Sequence, residues 1–176
     1  MRRFSPVCYK LESMNLKEIT ELFDYNLWAN NRLFEAAAQL TSEQYLQDVR
    51  AGHESIHGTL THIVGAQKVW LARWLKAPDT SLLRGKDVGS LLELIAIWEK
   101  VSSDTAALLA TFTDERLQQP MTITTSTGAL YTHTFQQMMQ HLVDHSTAHR
   151  GQVKAIMRQF GISPPGVDLI HYYRRK

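Results

Sequence analysis

His141-Leu-Val-Asp-His145-Ser-Thr-Ala-His149-Arg-Gly-Gln152 sets the reading of this chain. Its three histidines recur at every fourth residue. On an α-helix, a step of four rises about 6 Å and returns to nearly the same face. Neutral imidazole is the commonest protein metal ligand, so a stripe of imidazoles on one helix face predicts a metal site. Ordinary hydrogen-bonded histidines are the competing reading. Distance limits the metal reading, because His141 and His149 lie about 12 Å apart along the axis. One ion with metal–nitrogen bonds of about 2 Å cannot reach both. The pair is therefore His141 with His145, or His145 with His149. A third ligand must come from another helix.

Working outward, the helix that carries this stretch is predicted from Thr134 to Phe160, closed by Gly161 and Pro164-Pro165. Gly151 inside it costs about 1 kcal/mol relative to alanine, which a close helix–helix approach would explain. Before it, Met121–Thr125 and Ala129–Thr132 are β-prone, and Ser126-Thr127-Gly128 between them predicts a small hairpin. A third helix spans Ser90 to Phe112, with Leu91, Leu94, Ile95, Trp98, Val101, Ala106 and Leu109 toward the core. It has no histidine and is assigned a structural role.

A second helix spans Glu54 to Lys76 and ends before Pro78. Its apolar stripe includes Ile56, Leu60, Ile63, Trp70 and Trp74, with His62 at the edge of the stripe. His53 and His57 lie near its start. His62 is the preferred third ligand, ahead of His57. The first helix spans Leu16 to Leu40, with Asn15 as N-cap and Glu18 three residues on. Asn26 and Asn30 interrupt its buried stripe. Buried amides must be hydrogen-bonded, so they are expected to tie helices together, with substrate contact as the alternative. Arg150 is expected to make a structural ion pair, with substrate orientation as its alternative. Four long helices with a mid-chain hairpin predict an all-α four-helix bundle, a fold that holds cofactors between facing helices.

The composition narrows the class. At 176 residues the chain is expected to form one domain, from residue 14 to 176. Residues 1–13 read as an extension with little structure, and Met14 is an alternative initiator. A content of 44% hydrophobic and 20% charged residues marks a soluble globular protein. A net charge of +2 gives no argument for nucleic acid as a partner. No apolar run nears the ~20 residues of a membrane span, and the N-terminus lacks a signal peptide's apolar core. The single Cys8 excludes an internal disulfide and a cysteine-rich zinc site, and fits a cytoplasmic location.

Several metal families fall away. A zincin needs H-E-x-x-H, and Ser146 follows His145 here. A di-iron bundle needs two Glu-x-x-His pairs, and only Glu54-Ser-Ile-His57 is present. Haem attachment needs C-x-x-C-H, which is absent. What remains is His62 with a histidine pair from the last helix. Such neutral ligands suit zinc or nickel first, then iron or manganese. An ion of this kind keeps its full charge and an open position for water or a thiolate.

Three blocks resemble the DinB/YfiT-like family of metal-dependent bacterial proteins. They are Tyr25-Asn-Leu-Trp-Ala-Asn30, then Ser55-Ile-His-Gly-Thr-Leu-Thr-His62 with Trp70-Leu-Ala-Arg73, and His141 through Gln152. The resemblance covers the chain from Met14 onward. It implies an up-down-down-up bundle, usually a homodimer. It also implies divalent-metal ligation by His62, His145 and His149, which makes His141 a neighbour of the site. Two positions depart from the family pattern: Gln67 stands where many relatives have an acid, and Ala148 where many have a histidine. Relatives with known activity are similar to transferases and isomerases that use low-molecular-weight thiols. The resemblance therefore implies a metal-dependent transferase or hydrolase, acting through a small thiol or through water held on the metal. The alternatives are a non-catalytic metal-binding protein of stress or DNA-damage responses, with His141 or His57 as fourth ligand, and a structural homodimer.

Overall fold

A serine, threonine or asparagine cap starts each of the four long helices. The computed structural model describes residues 13–175 apart from Ala51 and Ser126; the expected N-terminal extension lies almost wholly outside them. Helix α1 (Leu16–Ala37) begins at Asn15, whose side chain accepts the Glu18 N–H while the Glu18 carboxylate accepts the Asn15 N–H. Helix α2 (Ser42–Leu46) is a short turn capped by Thr41. Helix α3 (Ile56–Trp74) is capped by Ser55, and α4 (Leu91–Leu109) by Ser90. After α5 (Asp114–Leu117) come strands β1 (Pro120–Thr124) and β2 (Leu130–Thr134), paired antiparallel with Pro120 opposite Thr134 and Thr124 opposite Leu130. Thr134 then caps α6 (Phe135–Gln159), and α7 (Leu169–Tyr173) closes the described chain.

The four long helices match the expected ones, and each stops or starts within three residues of its expected boundary. The largest differences, three residues each, are at the ends of α1 and α4. The chain leaves the helix after Ala37 because Thr41 must be extended to cap α2. Thr41 reads as mere punctuation in the sequence because a five-residue helix carries no periodicity.

Side-chain contacts fix the direction of each helix. Phe23 meets Trp74 and Asn26 meets Gln67, so α3 runs against α1. Asn31 accepts from Trp98, and Leu16 and Leu109 line one cavity, so α4 also runs against α1. Met14 meets Gln140 and Asn26 meets Arg150, so α6 runs with α1. The bundle is therefore up-down-down-up. Its core packs Ile19, Leu33, Leu60, Ile63, Leu94, Trp98, Met139 and Leu142, all essentially without solvent exposure. Among the described residues, no helix is long and apolar enough to cross a membrane.

One polar chain crosses this core and joins all four long helices. Arg150 Nη1 on α6 donates to Asn26 Oδ1 at 2.6 Å and Asn30 Oδ1 at 3.2 Å on α1. Asn26 Nδ2 donates to Gln67 Oε1 on α3 at 3.1 Å. Gln67 Nε2 reaches Thr105 Oγ1 on α4 at 3.4 Å. Arg150 Nη2 donates to Tyr25 Oη and Thr147 Oγ1, and Tyr25 in turn donates to the Val167 carbonyl. Asn26 and Asn30 thus tie helices, as expected from buried amides.

Two local expectations are corrected. Among the described residues Arg150 has no carboxylate within ion-pair distance; its partners are neutral oxygens, because the facing positions on α1 hold amides. Gly151 marks no close helix approach, since a Cβ there would meet nothing within 4 Å. The tight glycine contacts are on α3, at Gly58, where a Cβ would collide with the His53 carbonyl oxygen, and at Gly65, where it would lie 3.0 Å from the Leu83 carbonyl oxygen.

Candidate metal centre

Antiparallel packing of α3 on α6 places His62 opposite the turn between His145 and His149. All three rings are half-buried. His145 Nε2 lies 3.1 Å from His62 Nε2 and 3.1 Å from His149 Nε2. Two ligands on a tetrahedral ion at 2.0–2.1 Å are separated by about 3.3–3.4 Å. The two spacings that share His145 are close to that edge length.

Hydrogen bonding alone accounts poorly for this arrangement. A ring nitrogen has one proton or one lone pair, so His145 Nε2 cannot serve two partners well. His145 Nδ1 is buried with no partner. A cation in front of the three Nε2 atoms would use all three lone pairs together. His149 is oriented for that role, because its Nδ1 lies 2.9 Å from Gln152 Oε1 one turn on. Such a bond fixes the tautomer and aims Nε2 at the centre.

The local field favours neutral rings. Burial, followed by the neighbouring His53, His149 and His145, pushes His62 down to about 3. Burial, then His149, His141 and His53, pushes His145 down to about 4, with Asp144 opposing. A protonated ring here would be poorly solvated and would face other rings, so the imidazoles stay neutral and keep lone pairs that could bind a cation.

A fourth ring, His53, joins the cluster from the loop before α3. Its ring stacks on His62 at 3.7 Å between centroids and lies 5.1 Å from His149. His53, His62 and His149 each offer a ring nitrogen within 4.8 Å of the others. The sequence places His53 near the start of the second helix but gives it no role. It falls outside the helical period, and the positive-φ positions Gly52 and Glu54 that flank it leave no spacing signal.

The other histidines separate cleanly. His57 is buried with both nitrogens engaged, by the Tyr45 hydroxyl at 3.0 Å and the Gly85 carbonyl at 2.9 Å. It is a structural tie between α2, α3 and the 82–86 segment, so it has no free nitrogen to offer as a fourth ligand. His141 is exposed, packs edge-on to Trp70, and its centroid lies 6.0 Å from that of His145. Beside the cluster is an open cleft of about 600 Å³, lined by Gly52, His53, Glu54, His62, Arg84 and Lys86 among others. Asn26, Asn30 and Arg150 do not line it; they are buried in the network behind α6.

The fold and the cluster define a four-helix-bundle protein with histidines gathered where its second and fourth long helices meet. The chain belongs to the DinB family, whose family model it matches over residues 13–176. It is 25% identical over 165 residues to Protein DinB of Bacillus subtilis, covering 84% of this chain and 89% of the relative. Its fold is shared by a DinB-like protein of Bacillus cereus, with a TM-score of 0.70 at 23% identity over 89% of this chain and all of that one. It is also shared by YfiT of Bacillus subtilis, with a TM-score of 0.65 at 14% identity over 93% of this chain and 97% of that one. YfiT is described as a probable metal-dependent hydrolase with an unusual four-helix bundle topology.

Proposed function

We propose that the protein is a metal-dependent enzyme whose divalent ion is held by His62, His145 and His149. The carrying observation is the convergence of three Nε2 atoms at 3.1 Å spacings on His145. The donor set fits zinc or nickel first, and iron or manganese as well. When bound, such an ion acidifies a coordinated thiol or water and so supplies a nucleophile near neutral pH. The description of YfiT as a probable metal-dependent hydrolase supports the water route. The family resemblance supports a low-molecular-weight thiol as co-substrate of a transferase or isomerase.

The chain's own residues have separable tasks in this reading. His62, His145 and His149 bind. Gln152 orients His149 through Nδ1. The Arg150 network holds α6 in register against α1, which fixes where His145 and His149 point. The cleft beside His53 and His62 admits a small molecule, and Arg84 and Lys86 on its wall suit an anionic one.

A second reading, metal binding without turnover, is favoured by one observation: the fourth imidazole of His53 beside the other three. Turnover separates the two. Protein loaded with zinc or nickel and presented with small thiols plus electrophiles, and with ester and amide substrates, should show activity that a chelator removes. Stoichiometric metal with no turnover across that panel would favour the second reading.

A further inference from the structure

The loop before α3 is built at a backbone cost. Arg50 and Glu54 have positive φ values of 53° and 70°, and Gly52 between them has 58°. Residues with side chains rarely adopt this region; each instance costs about 1–3 kcal/mol and persists only where the surroundings enforce it. The enforcement is visible on both sides. The Val49 N–H donates to the Glu54 carbonyl at 2.7 Å, which closes the loop. Gly52 presses on Gln152, where an added Cβ would stand 3.2 Å from Oε1, the same atom that contacts His149 Nδ1. The loop is therefore seated on the residue that orients His149, and from that seat it lays His53 over His62 at 3.7 Å. Strain concentrated at one loop that delivers one histidine needs a function for that histidine.

The geometry points to His53 as a fourth protein ligand of the divalent ion, carried on a strained loop. This inference rests on the metal-binding reading of His62, His145 and His149. His53 brings a ring nitrogen within 4.8 Å of those of His62 and His149, so rotation of its ring out of the stack on His62 would aim that nitrogen at a shared ion. His57 cannot take this place, because both its nitrogens are engaged. His141 is exposed, and its ring packs on Trp70 rather than joining the close group. His53 also lines the open cleft, side by side with His62. With His53 bound, a tetrahedral ion would have all four positions filled by protein.

The test compares cobalt-loaded wild-type protein with His53→Ala and His53→Phe. X-ray absorption counts the imidazoles on the ion, visible absorption reports its geometry, and competition with a chelator gives the affinity. Wild type should show four imidazoles. Both variants should show three, with an affinity at least about tenfold weaker, the loss that even outer-sphere partners of a metal ligand produce. His53→Phe keeps a ring stacked on His62 without a donor, so it separates ligation from packing. Free imidazole added to His53→Ala should restore the four-imidazole spectrum, and should leave wild type unchanged. Three imidazoles in wild type, with the same spectrum and affinity in His53→Phe, would overturn the inference while leaving the three-histidine site intact. Wild type that binds no stoichiometric cobalt would instead refute the underlying metal reading.

Discussion

Asn26 is the node of the buried network, and removing it should couple strongly to Arg150. In Asn26→Ala, Arg150 loses its 2.6 Å bond to Oδ1, and Gln67 Oε1 loses its Nδ2 donor. A hydrogen bond to a charged group contributes about 1.5–3 kcal/mol, and an orphaned buried acceptor costs about 1–3 kcal/mol. Together they predict a destabilisation of about 2.5–6 kcal/mol. Arg150→Met keeps the volume but strips donors from Asn26 and Asn30. Removing a poorly solvated guanidinium offsets part of that loss, so about 3 kcal/mol is expected. In the double variant the charged bond cannot be lost twice. Its cost should therefore fall short of the sum of the singles by about 1.5–3 kcal/mol. Urea unfolding of the metal-free protein at fixed pH, with unchanged m-values, measures all three. Singles that add within about 0.5 kcal/mol would show no coupling, and the network would not hold the bundle as described.

Three further outcomes follow. His57→Ala should destabilise the fold by about 1–3 kcal/mol, because the Tyr45 hydroxyl and Gly85 carbonyl lose their partner, yet it should leave metal stoichiometry unchanged; loss of metal would return His57 to the ligand set. Gln152→Leu should weaken metal affinity about 10–100-fold by freeing the His149 ring, and unchanged affinity would contradict its orienting role. In the metal-free protein, His62 and His145 should titrate far below 6.5, near 3 and 4, because burial and neighbouring rings disfavour the charged form. Below pH 6.5 the unfolded chain then binds more protons than the folded one, so apo stability should fall as pH drops from about 6.5 toward 4. Imidazole resonances of either residue that titrate at or above 6.5 would be incompatible with this environment.

The long helices were legible because their signals are local. Asn15 with Glu18, the stripes of apolar residues and the Gly161 stop are all readable within one helix. His145 and His62 could be nominated because one shares a helical period with two other histidines and the other lies at the edge of another stripe; the choice of His149 over His141 came from the family resemblance. Their convergence could not be read, since it depends on α3 running against α6. His53 escaped for a sharper reason. Its position depends on three successive turns with positive φ or tight closure, and two of those fall on arginine and glutamate, residues that advertise no such conformation. Arg150 invited an ion pair because buried arginines usually face acids. Here the facing positions are amides, and the position on α3 that joins them is Gln67 rather than an acid. The neutrality of this network could be seen only once Asn26, Gln67 and Arg150 were placed in one chain of bonds.

The most direct measurement is an anomalous-scattering map from crystals of untagged protein loaded with zinc. A single peak about 2 Å from Nε2 of His62, His145 and His149 is the outcome expected from their present spacing. A zinc peak on other residues, or full-length crystals at saturating zinc with no peak between α3 and α6, would contradict it.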